Sequence, residues 1–243
     1  SYYGIQDANR LPDLLNTEEY LLIRNEAINN ANSLRDPIRQ LDTYDVAILD
    51  TLGEVNWLDE VFNSAPTQRY SLSASGGGDN GSFYLLGEYS SQEGVFKRQR
   101  YDKYLLRFNG DIGTKKFRVG NNISFSYTDR DVINSSGDGG GPGNELSGIR
   151  YALIAAPVFP IYDQNGNYNN TSSTLGDPTL YGDGNANPLA FIDATNWTVQ
   201  RYRFFGNVFA EYKFLPNLTF RTNLGADILF QDETIFKERL SAS

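Results

Sequence analysis

The sequence has no cysteine, no histidine and no methionine among its 243 residues. The absence of cysteine excludes disulfide bonds, thiolate nucleophiles and Cys-based metal sites. The absence of histidine excludes Ser-His-Asp triads, imidazole general bases and the commonest zinc ligand. Composition leaves paired carboxylates of the glycosidase kind open, but no spacing in the sequence supports them. We therefore expect a protein that is not an enzyme and that holds no metal and no cofactor.

Positive charge and long apolar runs are also scarce. The net charge is −9 and the isoelectric point is near 4.6, which excludes the basic surface that nucleic-acid binding requires. No apolar run reaches the roughly 20 residues of a membrane helix. A transmembrane β-barrel would give the same negative result, because its lipid-facing residues occupy alternate positions. Since methionine is absent, we expect Ser1 to follow a removed leader or to lie inside a longer chain.

Aromatic residues and glycine are abundant, with 16 Tyr, 15 Phe and 23 Gly. From Arg69 onward the apolar pattern has a period of two, which predicts β-strands. Six segments carry a charge-free stripe of apolar residues on alternate positions. These stripes lie within residues 70–74, 83–89, 104–112, 117–127, 202–212 and 218–230. Asn121 is a polar exception in the fourth stripe, and the second stripe is less clear because Tyr84 and Leu86 make its opposite face apolar too.

The alternate positions opposite these stripes carry the charges. Their simplest interpretation is ion pairs between neighbouring strands. If the strands form a barrel, six of these charged residues are expected to face its lumen: Arg107, Asp111, Arg201, Arg203, Arg221 and Asp227. A charge-free stripe also fits the inner face of a soluble sandwich, so the pattern alone does not separate the two folds.

The lengths of the connections favour a barrel. The turns at 76–81, 113–116 and 213–217 are short, whereas those at 94–100 and 129–198 are longer or very long. Strict alternation places all tight turns at one rim and all long loops at the other, as in outer-membrane barrels. We predict an all-β fold, an antiparallel transmembrane β-barrel that is only partly present here. The alternative is a soluble or cell-surface β-sandwich that serves as a binding or adhesion module.

The first 66 residues are the least strand-like. Asn16 followed by Thr17, Glu18 and Glu19 is typical of a helix start with a capping box, and it predicts a helix over residues 17–31. Tyr20, Ile23 and Ala27 would form one packed stripe on that helix.

The segment 129–198 is where ligand recognition is expected, since long barrel loops reach over the mouth or into the lumen. Its glycine run at 137–143 predicts a flexible connector and not a phosphate-binding loop. The oxygen-rich stretch 163–168 resembles a calcium loop but predicts a hairpin turn at Asn165 and Gly166. Residues 152–161 carry no polar side chain and should cover another surface. The candidate substrate- or partner-binding residues are Tyr151, Phe159, Tyr162, Asp163, Asn165, Tyr168 and Trp197, whose aromatic members could equally pack against the lumen wall.

Several stretches, taken in order, resemble the SusC/RagA-like TonB-dependent transporters of the Bacteroidetes outer membrane. They are YYGIQDANRLPDLLNTEEYLLIRNEA, WLDEVFNSAPTQRYSLSASGGGDNGSFYLLGEYSSQEGVFK, YLLRFNGDIGTKKFRVGNNISFSYTDRD, APVFPIYDQNGNYNN and NPLAFIDATNWTVQRYRFFGNVFAEYKFLPNLTFRTNLGAD. No single motif is diagnostic, but their joint order is specific and covers nearly the whole chain.

The resemblance implies an importer of glycan or peptide fragments in the bacterial outer membrane. It also implies that about seven strands of a larger plugged barrel are present in this chain, whose lumen-facing charges are expected to pair across strands or to contact the plug. Its expected partners are a SusD-like surface lipoprotein, the TonB system acting through a plug that is not in this chain, outer-membrane lipid and the remaining barrel chain. It also predicts four regions: 1–66, the end of the first strand plus a helical extracellular loop; 67–128, strands with short turns; 129–198, a long loop; and 199–243, further strands and the start of another loop.

Overall fold

The computed structural model describes residues 1–133, 148–169, 177–181 and 187–238. The predicted glycine connector at 137–143 lies outside these described residues. The chain divides into two compact units. The first contains residues 1–7, 64–132 and 197–235, and the second contains residues 8–63, 133–196 and 236–243. Each unit is described separately below.

Seven strands in sequential order form a single sheet in the first unit. Each strand pairs with the next along the chain, and the pairings from the first to the sixth strand are antiparallel. The strands are β1 Tyr2–Gln6, β2 Ala65–Gly78, β3 Gly81–Glu93, β4 Arg100–Gly113, β5 Phe117–Asp131, β6 Thr195–Leu215 and β7 Leu218–Lys237. The predicted antiparallel meander of about seven strands is confirmed.

Short and long connections alternate as predicted. The turns at residues 79–80, 114–116 and 216–217 are tight, and the connections at 7–64, 94–99 and 132–194 are longer. Because β5 continues to Asp131 and β6 begins at Thr195, the connection between them is shorter than the predicted loop 129–198. Local turn residues and period-two alternation were enough to predict this arrangement, since both act over a few neighbouring residues.

The strand register places the predicted apolar stripes on one face of the sheet. Leu85 pairs with Phe108, Phe108 with Ile123, and Ile123 with Gly206, so members of four stripes lie side by side. The opposite, polar face holds Arg107, which pairs with Leu86 and Ser124. A one-residue slip anywhere in this register would exchange the two faces of a strand, so the pairing and the apolar pattern support each other.

The second unit is helical. Its α-helices are α1 Thr17–Asn32, α2 Trp57–Val61, α3 Gly148–Ile154, α4 Pro178–Tyr181 and α5 Pro188–Ala194, and two 3-10 helices cover Pro37–Arg39 and Val46–Thr51. Trp57, Val61, Phe159 and Ile192 are almost fully buried and form its core. The rings of Trp57 and Phe159 lie 5.7 Å apart. Among the described residues, no helix has the length and apolar character needed to cross a membrane.

Helix α1 begins as predicted but packs on a different side. The Asn16 side chain accepts the Glu19 backbone N–H at 2.9 Å, and the Glu19 carboxylate accepts the Asn16 N–H at 3.1 Å, which completes the capping box. The predicted packed stripe is wrong, because Ile23 and Ala27 are exposed. The buried positions are Thr17, Leu21 and Ile28, which lie on a different face of the helix from Ile23 and Ala27. Apolar residues lie on both faces, so the helical period alone did not determine which face packs.

Candidate functional site

The apolar face of the sheet is exposed to an unusual degree. Leu72 is 82% exposed and Leu224 is 71% exposed, although both belong to the predicted apolar stripes. In the described part of the chain this face has no second sheet against it, as a β-sandwich would require. Leaving so much apolar surface in water is unfavourable, which indicates that the face meets an apolar environment.

A row of tyrosines crosses five strands near the long-connection end of the apolar face. Strand pairing joins Tyr70 to Tyr89, Tyr89 to Tyr104, Tyr104 to Tyr127 and Tyr127 to Tyr202. The ring centroids of the last three pairs are 4.9, 6.0 and 4.7 Å apart. Tyrosine has an apolar ring and a polar hydroxyl, which suits it to the boundary between lipid and water. These five residues are called the tyrosine row below.

A second aromatic group lies toward the short-turn end. Phe117 pairs with Tyr212, ten positions along β5 and β6 from the tyrosine row, and the Phe214 ring lies 4.7 Å from that of Tyr212. Ten residues of strand extend about 34 Å. At the usual barrel tilt of about 35–45° this is about 24–28 Å along the membrane normal, which matches the apolar band of about 25 Å in outer-membrane barrels. No charged residue occupies the apolar face between these two aromatic groups.

Charges return to this face immediately beyond the tyrosine row. The Arg100 guanidinium lies 3.3 Å from the Asp102 carboxylate, 3.4 Å from that of Asp131 and 3.9 Å from that of Asp129. These residues lie on the same face of their strands as Tyr104 and Tyr127, and they are closer to the long connections. The face therefore changes from uncharged to ionic within two residues, as expected where a wall leaves the hydrocarbon layer.

The polar face carries a different set of contacts, mainly cross-strand ion pairs. Arg203 pairs with Asp227 at 2.6 Å, and Arg118 pairs with Asp111 at 2.6 Å. Arg69 pairs with Glu88 at 2.5 Å, and Arg221 lies 3.8 Å from Glu211. The six charged residues expected to share a face therefore do so: Arg107, Asp111, Arg201, Arg203, Arg221 and Asp227.

Neutral amides continue across the middle of the polar face. Asn109 pairs with Asn122, and Asn122 pairs with Asn207, in register. The Asn122 amide donates to Asn207 at 3.4 Å, and the Asn207 amide donates to Asn223 at 2.6 Å. This row gives the middle of the face hydrogen-bonding capacity without net charge.

A pocket of about 600 Å³ opens on the polar face near the long connections. It is called the rim pocket here, and its lining comes from β3, β4, β6, β7 and the end of β5: Gln92, Tyr101, Thr128, Arg130, Val132, Trp197, Val199, Arg201, Gln231 and Glu233. Its lining therefore combines two aromatic rings, two guanidinium groups, one carboxylate and several neutral polar groups. This combination can hold a polar ligand by ring stacking and charge-assisted hydrogen bonds.

Hydrogen bonds fix several of these side chains. The Trp197 indole N–H donates to Glu233 Oε1 at 2.8 Å. The Arg201 Nε–H donates to Gln231 Oε1 at 2.6 Å. Because Trp197 and Arg201 are four residues apart on β6, both project to the same face. The rim pocket thus has ordered walls before any ligand arrives, which lowers the entropic cost of binding.

The second unit contains the predicted hairpin at Asn165 and Gly166. Asp163 Oδ1 accepts the backbone N–H groups of Asn165 and Asn167, both at 2.8 Å, and Gly166 has a φ of +82°, which favours glycine. The hydrogen bond from the Asn167 backbone is the largest cause that lowers the pKa of Asp163. Residues 162 and 168 form the bridge that closes this turn, so the hairpin is confirmed.

Two tyrosines flank that hairpin. The rings of Tyr162 and Tyr168 are stacked with centroids 5.0 Å apart, and Tyr162 is 51% exposed. The Tyr168 hydroxyl donates to Asp193 Oδ2 at 2.6 Å. Burial, followed by this hydrogen bond, raises the pKa of Tyr168, which stays protonated at neutral pH. The exposed Tyr162 ring is the part of this pair that a ligand can reach.

The structure brings some predicted binding residues together and separates others. Tyr162, Asp163, Asn165 and Tyr168 share the hairpin, whereas Trp197 lies in the rim pocket of the sheet. Phe159 is fully buried against Trp57, which corrects the expectation that it contacts a ligand. The apolar stretch 152–161 explains this, since it supplies core residues of the helical unit.

Tyr151 also has a packing role. It is half-buried, and its ring lies 5.3 Å from that of Phe191.

Sequence reasoning missed most of the rim pocket. Tyr101, Arg130, Gln231 and Glu233 were not among the candidates, although Tyr101 and Arg130 are direct strand partners. All four occupy alternate strand positions that belong to the polar face, and all four lie close to the long connections. This pattern could have indicated them from the sequence. Their assembly depends on inter-strand register, which the sequence did not supply.

In the described part of the chain, no three carboxylates are grouped so as to hold a metal ion. The Asp163 oxygens are used by the hairpin amides instead.

Comparisons with known proteins agree with this geometry. No family model matches the sequence. The chain is 28% identical over 224 residues to TonB-dependent receptor P3 of Formosa agariphila, covering 92% of this chain and 20% of that protein. It is 25% identical over 193 residues to TonB-dependent receptor SusC of Bacteroides thetaiotaomicron, covering 72% of this chain and 18% of that protein. The chain spans about a fifth of the length of the curated relatives it matches.

A solved structure of the RagAB peptide importer in the closed-closed state matches with a TM-score of 0.69 at 21% identity, covering 96% of this chain and 28% of that chain. The open-open state matches equally well, with a TM-score of 0.69 at 20% identity, covering 96% of this chain and 27% of that chain. The seven-stranded sheet is therefore part of an antiparallel transmembrane β-barrel wall. Taken with the receptor sequences above, the chain is a SusC/RagA-like barrel fragment that is similar in sequence to TonB-dependent receptors. The matched relatives are named as receptors and importers, which agrees with a role other than catalysis.

Proposed function

We propose that this chain forms part of the wall of a TonB-dependent importer in the bacterial outer membrane, which takes up glycan or peptide fragments. The observation that carries the proposal is the sheet with two unlike faces. One face is exposed, apolar and uncharged between two aromatic groups spaced for a bilayer, and the other bears ion pairs, amides and the rim pocket. A wall between lipid and a polar lumen needs both faces.

The polar face would line the lumen. The lumen-facing set would be Arg107, Asp111, Arg201, Arg203, Arg221 and Asp227, with the asparagine row between the charged ends. Most of these charges are paired across strands, so they hold the wall together and contribute little net attraction. The rim pocket and the hairpin tyrosines are the surfaces where substrate contact is proposed.

The proposed importer acts with other components. A SusD-like surface lipoprotein would work at the side of the long connections, and the TonB system would act through a plug domain belonging to the rest of the receptor. One relative is named SusC, and the RagAB structures are named as a peptide importer, which supports this assignment. The hairpin with Tyr162 belongs to one of the long connections, which supports the proposal that its exposed ring contacts substrate or the lipoprotein.

Deletion of the gene for the full receptor in its native host tests the proposal. We expect slower growth on one or a few oligosaccharides or peptides as nutrient, with unchanged growth on monosaccharides or free amino acids. Loss of TonB should reproduce the defect, and the receptor should fractionate with the outer membrane and migrate differently on gels when unheated. A receptor found in the soluble fraction, or a deletion strain with normal growth on every oligomer, would contradict the proposal.

A further inference from the structure

The charges on the polar face are not balanced evenly along the strands. The five carboxylates of this face are all engaged: Glu88, Asp111, Glu211 and Asp227 lie near arginines, and Glu233 accepts from Trp197. Toward the short turns, Arg118 and Arg221 have acidic partners, and of the described polar-face cations on β4 to β7 at that end Lys213 has none. Toward the long connections, Lys103, Arg130 and Arg201 have no carboxylate within ion-pair distance among the described residues.

These cations converge on the rim pocket. Arg130 and Arg201 line it directly, and Lys103 pairs in register with Thr128, which also lines it. Thr128 in turn pairs with Arg201, and Arg130 pairs with Val199, so the two arginines are diagonal neighbours on the same face. Diagonal neighbours have their side-chain origins about 7–8 Å apart, close enough for both guanidinium groups to reach one bound anion.

The one carboxylate in the pocket does not cancel them. Glu233 uses Oε1 to accept the Trp197 indole N–H at 2.8 Å, and Gln231 donates to its other oxygen at 3.5 Å. Arg201 uses only its Nε–H, for Gln231, so its terminal amino groups have no acceptor within the described residues. The rim pocket is therefore positively charged, although the net charge of the chain is −9.

The uncharged residues that line the rim pocket indicate what kind of molecule carries the anionic group. Trp197 and Tyr101 offer aromatic faces, and Thr128, Gln92 and Gln231 offer neutral donors and acceptors. Aromatic faces with neutral amides and hydroxyls suit the ring faces and hydroxyl groups of a saccharide.

We propose that the rim pocket binds an anionic oligosaccharide, with Arg130 and Arg201 holding a carboxylate or sulfate group of a sugar that lies against Trp197 or Tyr101. The proposal rests on the importer function above and narrows its substrate to an acidic glycan. Guanidinium groups bind such planar or tetrahedral oxyanions by paired, charge-assisted hydrogen bonds. Lys103 adds long-range attraction without a fixed geometry.

The test uses the purified full-length receptor and titration calorimetry. The probes are a tetramer of galacturonic acid, its methyl ester of equal length, a sulfated galactose tetramer with its unsulfated counterpart, and tetraglutamate. We expect at least one acidic saccharide to bind about tenfold or more tightly than its neutral counterpart, the size expected for a hydrogen bond to a charged group. The uronate and sulfate arms identify which oxyanion the pocket takes, and tight binding should weaken as salt rises.

Matched variants locate the site. Arg130→Gln and Arg201→Gln should each weaken binding of the preferred acidic saccharide about tenfold while leaving the neutral counterpart unchanged. Arg130→Lys and Arg201→Lys should retain part of the affinity, which also shows that the pocket still folds. Arg118→Gln is the control, since Arg118 lies on the same face of β5 at the far end and is paired with Asp111. It should bind as the unaltered receptor does.

Three results would overturn the proposal: equal affinity for acidic and neutral saccharides, including no affinity for either; affinities that do not change in the Arg130 and Arg201 variants; or a preference for tetraglutamate. None of these three results contradicts the importer function if the deletion strain still shows its growth defect on some oligomer. A deletion strain with no defect, from a receptor that nevertheless binds acidic glycan, would instead contradict import and leave the pocket assignment intact.

Discussion

Leu224 and Asn223 are neighbours in β7 but have different surroundings. Leu224 lies on the apolar face and is 71% exposed, whereas the Asn223 side chain accepts a hydrogen bond from Asn207 on the polar face at 2.6 Å. If the apolar face meets lipid, a substitution by lysine should be poorly tolerated at Leu224 and well tolerated at Asn223.

Leu224→Lys in the full receptor should destabilise the folded barrel by about 2–4 kcal/mol, the cost of Lys near the middle of the bilayer. Asn223→Lys should cost about 1 kcal/mol at most, from the lost amide hydrogen bond. Urea unfolding in liposomes measures both values. A larger loss for Asn223→Lys than for Leu224→Lys would mean that the faces are inverted.

Asp163 gives the hairpin a pH dependence. Hydrogen bonds from the Asn167 and Asn165 backbones lower its pKa, so the folded hairpin favours the ionised carboxylate. The resulting stability is therefore present above the ordinary pKa near 3.8 and is lost as pH falls through the lower, folded value. We expect amide exchange at Asn165 and Asn167 to accelerate in that acidic range.

Asp163→Asn is the matched variant for that measurement. Its exchange rates, corrected for the intrinsic pH dependence of exchange, should already be raised at neutral pH and should show little further change in acid. Exchange protection that is the same in both proteins at every pH would contradict the role assigned to this carboxylate.

At the level of the strands, the tyrosine row and the Phe117–Tyr212 pair define how deep each residue lies. Residues midway between them, such as Ile123 and its strand partner Phe108, should be deepest in the bilayer. Spin labels at Phe108 and Ile123 should therefore be accessible to oxygen, which dissolves in lipid, and protected from a water-soluble nickel chelate.

Labels at the two residues before Phe108 supply the control. A label at Arg107 should be accessible to the nickel chelate, and a label at Leu106 to oxygen, because adjacent residues of a strand point to opposite faces. Loss of this alternation along β4 would show that the strand assignment is wrong.

The helical unit has a core of its own. Phe159 is fully buried against Trp57, and the Trp57 indole N–H donates to the Ala156 carbonyl at 3.0 Å. Phe159→Ala should destabilise this unit by about 3–5 kcal/mol, because it leaves a cavity beside Trp57. We expect faster proteolysis within 8–63 and 148–169 in intact cells.

Migration of the unheated receptor on gels should remain unchanged in Phe159→Ala, because that shift reports the barrel strands. Tyr162→Ala is a control at an exposed position and should leave the protease protection of the helical core intact. Loss of the gel shift in Phe159→Ala would mean that the strands depend on this core, against expectation.

Taken as a whole, the described sheet has two unpaired edges. β1 pairs only with β2, and β7 pairs only with β6. Unpaired strand edges beside a large apolar face favour aggregation in water. We expect this 243-residue chain, expressed by itself, to aggregate or to remain dependent on the rest of the receptor. A soluble monomer with one cooperative melting transition, seen by analytical ultracentrifugation and calorimetry, would contradict this view of the fold.

The sequence by itself determined the strands, their two faces and the alternation of short and long connections. Each of these depends on residues close together in the chain: apolar side chains at alternate positions, turn residues between strands, and Asn16 with Glu19 at the start of α1. Local signals of this kind need no knowledge of which strand pairs with which. The family resemblance was also readable from short stretches in a fixed order.

Only the tertiary structure decided which residues form a site. The rim pocket brings together Gln92, Tyr101, Arg130, Trp197 and Gln231 from five strands, and their meeting depends on the register of every strand between them. Packing likewise decided which side of α1 is buried, because that helix has apolar residues on more than one face. Register and packing are set by contacts between residues far apart in the chain, so no local pattern specifies them.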